Sequence, residues 1–160
     1  MMPVRQRTLT TFVMILALLA PCGAIAREPI GWNALNNVAP LGGTLDQART
    51  GLAGLKVEEI ELGDGSVLLL APGISVAACN GRVYSVTRQL GRTPGDGIVA
   101  VMRISTFAGS PLTNEANVVG AGGGSSLSFS WSSLPNYNVT IIEAEGNWSA
   151  HEALFEEDTC

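Results

Sequence analysis

The sequence is poor in the residue types that most often carry catalysis or metal binding. Histidine occurs once, at His151. A histidine-based metal cluster or a Ser-His-acid triad would therefore rest on this one residue, and no Gly-x-Ser-x-Gly segment joins a strand to a helix. We predict no catalytic, metal-binding or cofactor-binding residue, and we interpret His151 as a surface or hairpin histidine.

Positive charge is also scarce. The chain has nine Lys and Arg residues against 14 Asp and Glu, a net charge of −5. An acidic surface repels phosphate backbones, which excludes nucleic acid as a favoured partner. Two acidic clusters lack the spaced oxygen ligands and the glycine turn of a calcium loop, so we interpret them as solvated faces. They are Glu58, Glu59 and Glu61 with Asp64, and Glu156-Glu157-Asp158.

Long apolar runs are absent except near the first residue. Arg5 and Arg7 precede the apolar segment 9–20, and Ala24 and Ala26 form a small-x-small site. This pattern is typical of a secretory signal peptide over residues 1–26, and it predicts a periplasmic or secreted protein. The run is shorter than the roughly 20 residues of a membrane-spanning helix. Its removal leaves seven basic and 14 acidic residues, a net charge of about −7.

Cysteine is rare, and the predicted cleavage removes one of the three residues, Cys22. Residues 19–22 resemble a lipobox, although Pro21 stands where Gly or Ala is usual. A lipid anchor on Cys22 is therefore the alternative to a free protein. In an oxidising compartment the remaining Cys79 and Cys160 predict a disulfide, with two separate thiols as the alternative. The bridge would close a loop of about 80 residues and contribute roughly 4 kcal/mol in the chain-entropy model.

Helix signals occur in two places. Thr44 and Gln47 form a capping box before segment 45–52, and Thr93 opens a second predicted helix over 98–107. The β-branched content of 98–107 makes a strand the alternative there. Residues 27–43 are either an irregular lead-in or one short helix.

Alternating segments bounded by turn residues predict antiparallel strands. The strongest hairpin signal is Asn80-Gly81. A two-residue loop there would place Cys79 opposite Arg82, on the same sheet face as Tyr84 and Val86. The predicted strands are 57–62, 66–71, 74–79, 82–88, 117–119, 127–131, 137–145 and 150–155, the last with a turn of helix as the alternative.

The fold class that follows is α+β, with short helices packed on an antiparallel sheet. Residues 27–160 have the length of one small domain. A helix followed by hairpins occurs twice in the pattern. The chain is therefore either a tandem repeat with halves 27–92 and 93–160 or one domain with a continuous sheet.

This pattern resembles small bacterial envelope domains in which a helix precedes an antiparallel sheet. They include the outer-membrane assembly lipoproteins and the tandem-repeat β-lactamase inhibitory protein. The resemblance rests on Gly43-Thr44-Leu45, Ala48, residues 52–55 and the hairpin at 80–83, about a third of the mature chain. It implies an architecture and transfers no binding residue. A duplicated domain with a disulfide in each half would need four mature cysteines.

We predict from these features a non-enzymatic exported domain that binds another protein or supports the envelope. The contact surface would be a sheet face or the loop 120–125. The glycine-rich segment 120–124 precedes a strand-like segment rather than a helix, which indicates a hairpin loop and not a phosphate-binding one. Trp131 and Tyr137 flank a turn, and we interpret them as packing residues, with a partner anchor as the alternative. The alternative functions are a hydrolase or metal-dependent enzyme centred on His151 or an acidic cluster, and a small-ligand carrier.

Overall fold

The computed structural model describes residues 31–117 and 124–156. Within these ranges it confirms the predicted α+β class, with short helices and an antiparallel sheet. The elements in chain order are α1 (Gly31–Val38), α2 (Leu45–Gly51), β1 (Glu58–Glu61), β2 (Ser66–Ala71), β3 (Ile74–Cys79), β4 (Arg82–Gly91), α3 (Pro94–Ala108), β5 (Leu112–Asn117), β6 (Gly124–Trp131), β7 (Leu134–Ala144) and β8 (Asn147–Phe155).

All eight strands of the described residues belong to one sheet. Its spatial order is β1-β2-β3-β4-β8-β7-β6-β5, and every neighbouring pair is antiparallel. Each group of four consecutive strands is a meander, and β4 pairs with β8 at the centre. Two helices (α1 and α2) precede the first meander and one (α3) precedes the second, and the two meanders join into one continuous sheet.

Local signals place the helix starts. The Thr44 side chain accepts a hydrogen bond from the Gln47 amide at 3.2 Å, and the Gln47 side chain accepts one from the Thr44 amide at 2.7 Å. Thr93 and Asp96 form the same reciprocal pair at the start of α3. Segment 94–108 is a helix and not a strand, because this cap and Pro94 at its first turn fix its start.

The helices pack on one face of the sheet, which we call the helix side. Leu35 of α1, Leu52 after α2, and Val101 and Ile104 of α3 are buried there. The buried strand residues they meet are Leu69, Val76, Val83, Val86, Phe129, Tyr137, Val139, Ile141 and Leu154. None of the helices within the described residues is long and apolar enough to span a membrane.

A β-bulge places Val86 on the sheet face opposite to the predicted one. Cys79 does lie opposite Arg82, as the Asn80-Gly81 turn predicts, and both turn residues have positive φ (51° and 78°). The register then shifts between Ala77 and Ala78, which adds one residue on β4. Val86 therefore stands opposite Val76 on the helix side, and the prediction that it shares a face with Cys79 is wrong.

The predictions for the second meander differ from the structure in their bounds. β5 begins five residues before the predicted strand 117–119, whose last two positions lie outside the described residues. β6 and β7 both begin three residues earlier than predicted. Segment 150–155 is part of β8 and not a turn of helix, because it pairs with β4 on one side and β7 on the other.

Candidate functional site

An open groove lies beside α3, and we call it the α3 groove. It has a volume of about 620 Å³. Its lining comes from the start of α3 and from the last four strands, namely Pro94, Ile98, Glu115, Ser125, Ser126, Leu127, Ile141 and Trp148.

The position of α3 on the sheet creates this groove. α3 packs on β7, β8 and β4, and Gly97 lies at a close approach between the helix and the sheet. A Cβ on Gly97 would stand 2.5 Å from Ile141 Cγ1 and 3.3 Å from Ala150 Cβ. The helix therefore lies directly on β7 and β8, and the helix side of β6 and β5 beside its first turns stays open.

Apolar side chains around the groove remain exposed. Ile98 is 41% exposed, Met102 is 65% exposed and Trp148 is 44% exposed. Ile98 lies on the flank of α3 that lines the groove, and Met102 lies one turn further along the exposed surface of the helix, so α3 carries apolar side chains outside its buried face as well. A helix that is apolar on its exposed face indicates a contact surface, because isolated soluble proteins rarely cluster such residues in water.

The groove has one charged side chain among the described residues that line it, Glu115. Glu115 stands opposite Leu127, which stands opposite Ile141, so the three form one row across β5, β6 and β7. A carboxylate at the open end of an apolar row favours a ligand that carries both an apolar and a basic group.

A second polar feature is buried under α1. The Glu152 side chain is 2% exposed and lies among apolar residues on the helix side of β8. Its Oε1 accepts a hydrogen bond from Arg88 Nε at 2.5 Å and forms an ion pair with Arg88 Nη2, and its Oε2 accepts a hydrogen bond from Tyr137 Oη at 2.5 Å. We call these three residues the buried cluster.

The hydrogen bonds of the buried cluster hold its three side chains in fixed positions. Burial and the Glu152 carboxylate raise the pKa of Tyr137 far above its ordinary value, so its hydroxyl remains a donor at all physiological pH values. Both carboxylate oxygens have partners, and α1 begins directly above them. A Cβ on Gly31 would collide with Glu152 Oε2. The cluster thus ties together β4, β7, β8 and the start of α1.

The structure separates His151 from this acid. His151 precedes Glu152 on β8, so its side chain points to the opposite face, between Gln89 of β4 and Thr140 of β7. Partial burial lowers its pKa. His151 and Glu152 therefore lie on different faces of the sheet, although they are neighbours in sequence.

The acidic cluster on β1 forms part of an ion-pair network. Arg49 of α2 contacts Glu59 at 2.6 Å and Asp46 at 2.7 Å. The hydrogen bonds from Arg49 lower the pKa of Glu59. Within residues 31–117 and 124–156, no three His, Cys, Asp or Glu side chains group closely enough to hold a metal ion.

Several predicted residues lie outside the described part of the chain. These are Cys22, Ala24, Ala26, Glu157, Asp158, Cys160 and most of the loop 120–125. Cys79 is buried at the end of β3, and Asn80 Nδ2 lies 3.5 Å from its sulfur. The pairing of Cys79 with Cys160 stays a prediction.

The predicted aromatic pair is part of the core. Trp131 and Tyr137 are buried with ring centroids 6.0 Å apart, and the Trp131 indole donates to the Gly109 carbonyl at 3.1 Å. Sequence reasoning did not identify Ile98 and Trp148 as site residues. The apolar residues on both faces of the 98–107 helix were the available signal for Ile98, whereas Trp148 had none until β8 was placed beside β7.

Comparison with known proteins finds no protein family, curated protein or solved structure that matches this chain. The resemblance to small envelope domains therefore stays a prediction.

Proposed function

We propose that the chain is an exported, non-enzymatic domain that binds another protein through the α3 groove. Export follows from the signal pattern at residues 1–26, with the lipid anchor at Cys22 as the tethered alternative. The single observation that carries the binding role is the joint exposure of Ile98 and Trp148 in one open groove, with exposed Met102 one turn further along α3.

Protein contact explains these residues in terms of free energy. Removing apolar surface from water is favourable by roughly 25 cal/mol per Å². Tryptophan is among the residues that contribute most to binding when they lie at the centre of an interface. Trp148, Ile98 and Leu127 all line the groove, so a segment bound there would cover apolar surface on all three.

The geometry favours a protein over a small enclosed ligand. A carrier for a small molecule buries most of its cargo in a cavity between the helices and the sheet. Here Val101 and Ile104 of α3 are packed into that space against the sheet. The accessible volume is instead an open groove at the flank of the helix, which suits a chain segment that runs across it.

Site-specific photo-crosslinking in the producing cell tests this proposal. Benzoyl-phenylalanine at position 98 is expected to give a discrete protein adduct, identified by mass spectrometry. The matched control is position 55, because Leu55 is 45% exposed and lies after α2, away from the groove. The proposal fails if position 98 gives no adduct, or if both positions give the same set of adducts.

A further inference from the structure

The two edges of the sheet differ in their protection. β1, at one edge, has Glu at three of its four positions, and Arg49 of α2 binds one of them, Glu59. Closely spaced charges on an edge strand oppose pairing with another strand. The charges on β1 therefore oppose strand addition at this edge, and the ion pair with Arg49 partly covers it.

β5, at the other edge, has no comparable protection from the residues that the structure describes. Residues 112–115 are exposed, and Glu115 is the one charged residue among the six of β5. β5 pairs only with β6 among the strands of the described residues, so its outer N–H and C=O groups face away from the sheet. Such an edge is a template for an added strand.

The register connects this edge to the groove. Thr113 stands opposite Phe129 and Glu115 opposite Leu127, so both point to the helix side. A strand added beside β5 would place every second side chain on this same side. One of these partner side chains would stand opposite Glu115. The partner side chain two residues further along the added strand would reach towards the groove.

We infer that the partner binds by strand addition at β5, an inference that rests on the proposed binding role of the groove. The partner supplies an extended segment with alternate side chains on the helix side. One is Lys or Arg, which pairs with Glu115, and an adjacent one on that face is apolar and enters the groove beside Leu127. Backbone hydrogen bonds to β5 hold the segment, and these two side chains select it.

A second copy of this chain fits the edge poorly. If two copies paired through antiparallel β5 strands, the helix sides of both copies would lie on the same face of the combined sheet. In a pair centred on Glu115 or on either neighbouring residue, the two Glu115 side chains would stand opposite each other or one diagonal position apart. Like charges at such cross-strand positions are destabilising. A basic segment from another protein avoids this repulsion.

The test uses an end-blocked, fluorescently labelled eight-residue peptide in which Thr alternates with Ile and one central Ile is replaced by Lys. Fluorescence anisotropy with the processed protein is expected to show saturable binding. A peptide with Glu at the Lys position should bind at least tenfold more weakly. The protein variant Glu115→Lys should reverse this preference. The control Glu61→Lys, on the β1 edge, should leave it unchanged.

Backbone N-methylation distinguishes strand addition from simple groove binding. Amides of alternate residues in a strand face the same edge, so two methylated peptides are made, one for each alternate set. We expect one of them to lose at least tenfold in affinity and the other to keep it. Equal binding of both overturns strand addition while leaving the proposed groove function intact. Absence of binding by any peptide, or a stable protein dimer that excludes the peptide, also overturns it. The proposed function itself is contradicted by a different result, the absence of a photo-crosslinked adduct at position 98.

Discussion

The contacts of the buried cluster determine how much stability the protein should lose when Glu152 is replaced. Glu152→Leu removes the carboxylate that accepts hydrogen bonds from Arg88 and Tyr137. It leaves the Arg88 charge without its partner and the Tyr137 hydroxyl without an acceptor. Breaking a buried ion pair costs about 3–5 kcal/mol. The Arg88 side chain is 37% exposed and regains some water, so we expect a loss near the lower end, about 3 kcal/mol.

Companion variants divide this loss among the contacts. Tyr137→Phe removes one hydrogen bond to a charged acceptor and should cost about 2 kcal/mol. Combined with Glu152→Leu it should add little, because the hydroxyl that Glu152→Leu leaves unsatisfied is then absent. A triple variant that adds Arg88→Met should recover at least half of the loss, since an apolar replacement of the whole cluster leaves no buried charge.

Urea unfolding of the processed protein, followed by tryptophan fluorescence and circular dichroism, measures these differences. The control Glu61→Gln changes an exposed carboxylate on β1 and should stay within about 0.5 kcal/mol of the unchanged protein. If Glu152→Leu also stays within that range, the carboxylate has no role in holding β4, β7 and β8 together. Strict additivity of the Tyr137 and Glu152 variants would show that their hydrogen bond is not formed in solution.

Three further predictions concern packing, pH and covalent chemistry. Gly97→Ala should cost about 1 kcal/mol in urea unfolding, because overpacking against Ile141 costs about 1–3 kcal/mol and the helix gains back at most about 1. Gly95→Ala, whose Cβ would meet only a 3.6 Å contact, should cause no loss. The pKa of His151 is lower in the folded protein than in the unfolded chain, so the unfolded chain binds the proton first as pH falls. The free energy of unfolding should therefore decrease below about pH 6.5. The decrease should be smaller in His151→Gln. Intact mass of the exported protein should show cleavage after Ala26 and loss of two protons for a disulfide between Cys79 and Cys160. An uncleaved chain, a lipid on Cys22 or two free thiols would each contradict part of that prediction.

Features that depend on a few neighbouring residues were predictable from the sequence. The Thr44–Gln47 capping box, the helix start at Thr93 and the Asn80-Gly81 turn each depend on residues no more than four positions apart, and each forms as expected. These signals work because a cap or a tight turn satisfies its own backbone groups locally. The bounds of β2 and β3 follow from the turns at their ends.

Features that depend on distant pairing were not predictable. The contact between Arg88 and Glu152 joins residues 64 positions apart, and no local pattern identifies β4 as the neighbour of β8. The bulge at Ala77 and Ala78 likewise leaves no mark in the alternation. The α3 groove belongs to this class, because Trp148 and Ile98 meet only after β8 and α3 have packed.

The buried cluster and the α3 groove share one strand. Trp148, Ala150 and Glu152 follow one another on the helix side of β8, since each lies two residues from the next. Glu152 is held by β4 through Arg88 and by β7 through Tyr137, so the strand that presents Trp148 is fixed on both sides. A binding residue on a fixed strand loses little conformational freedom when a partner docks. A charged group in the core, costly by itself, is therefore placed where it keeps the exposed tryptophan in position.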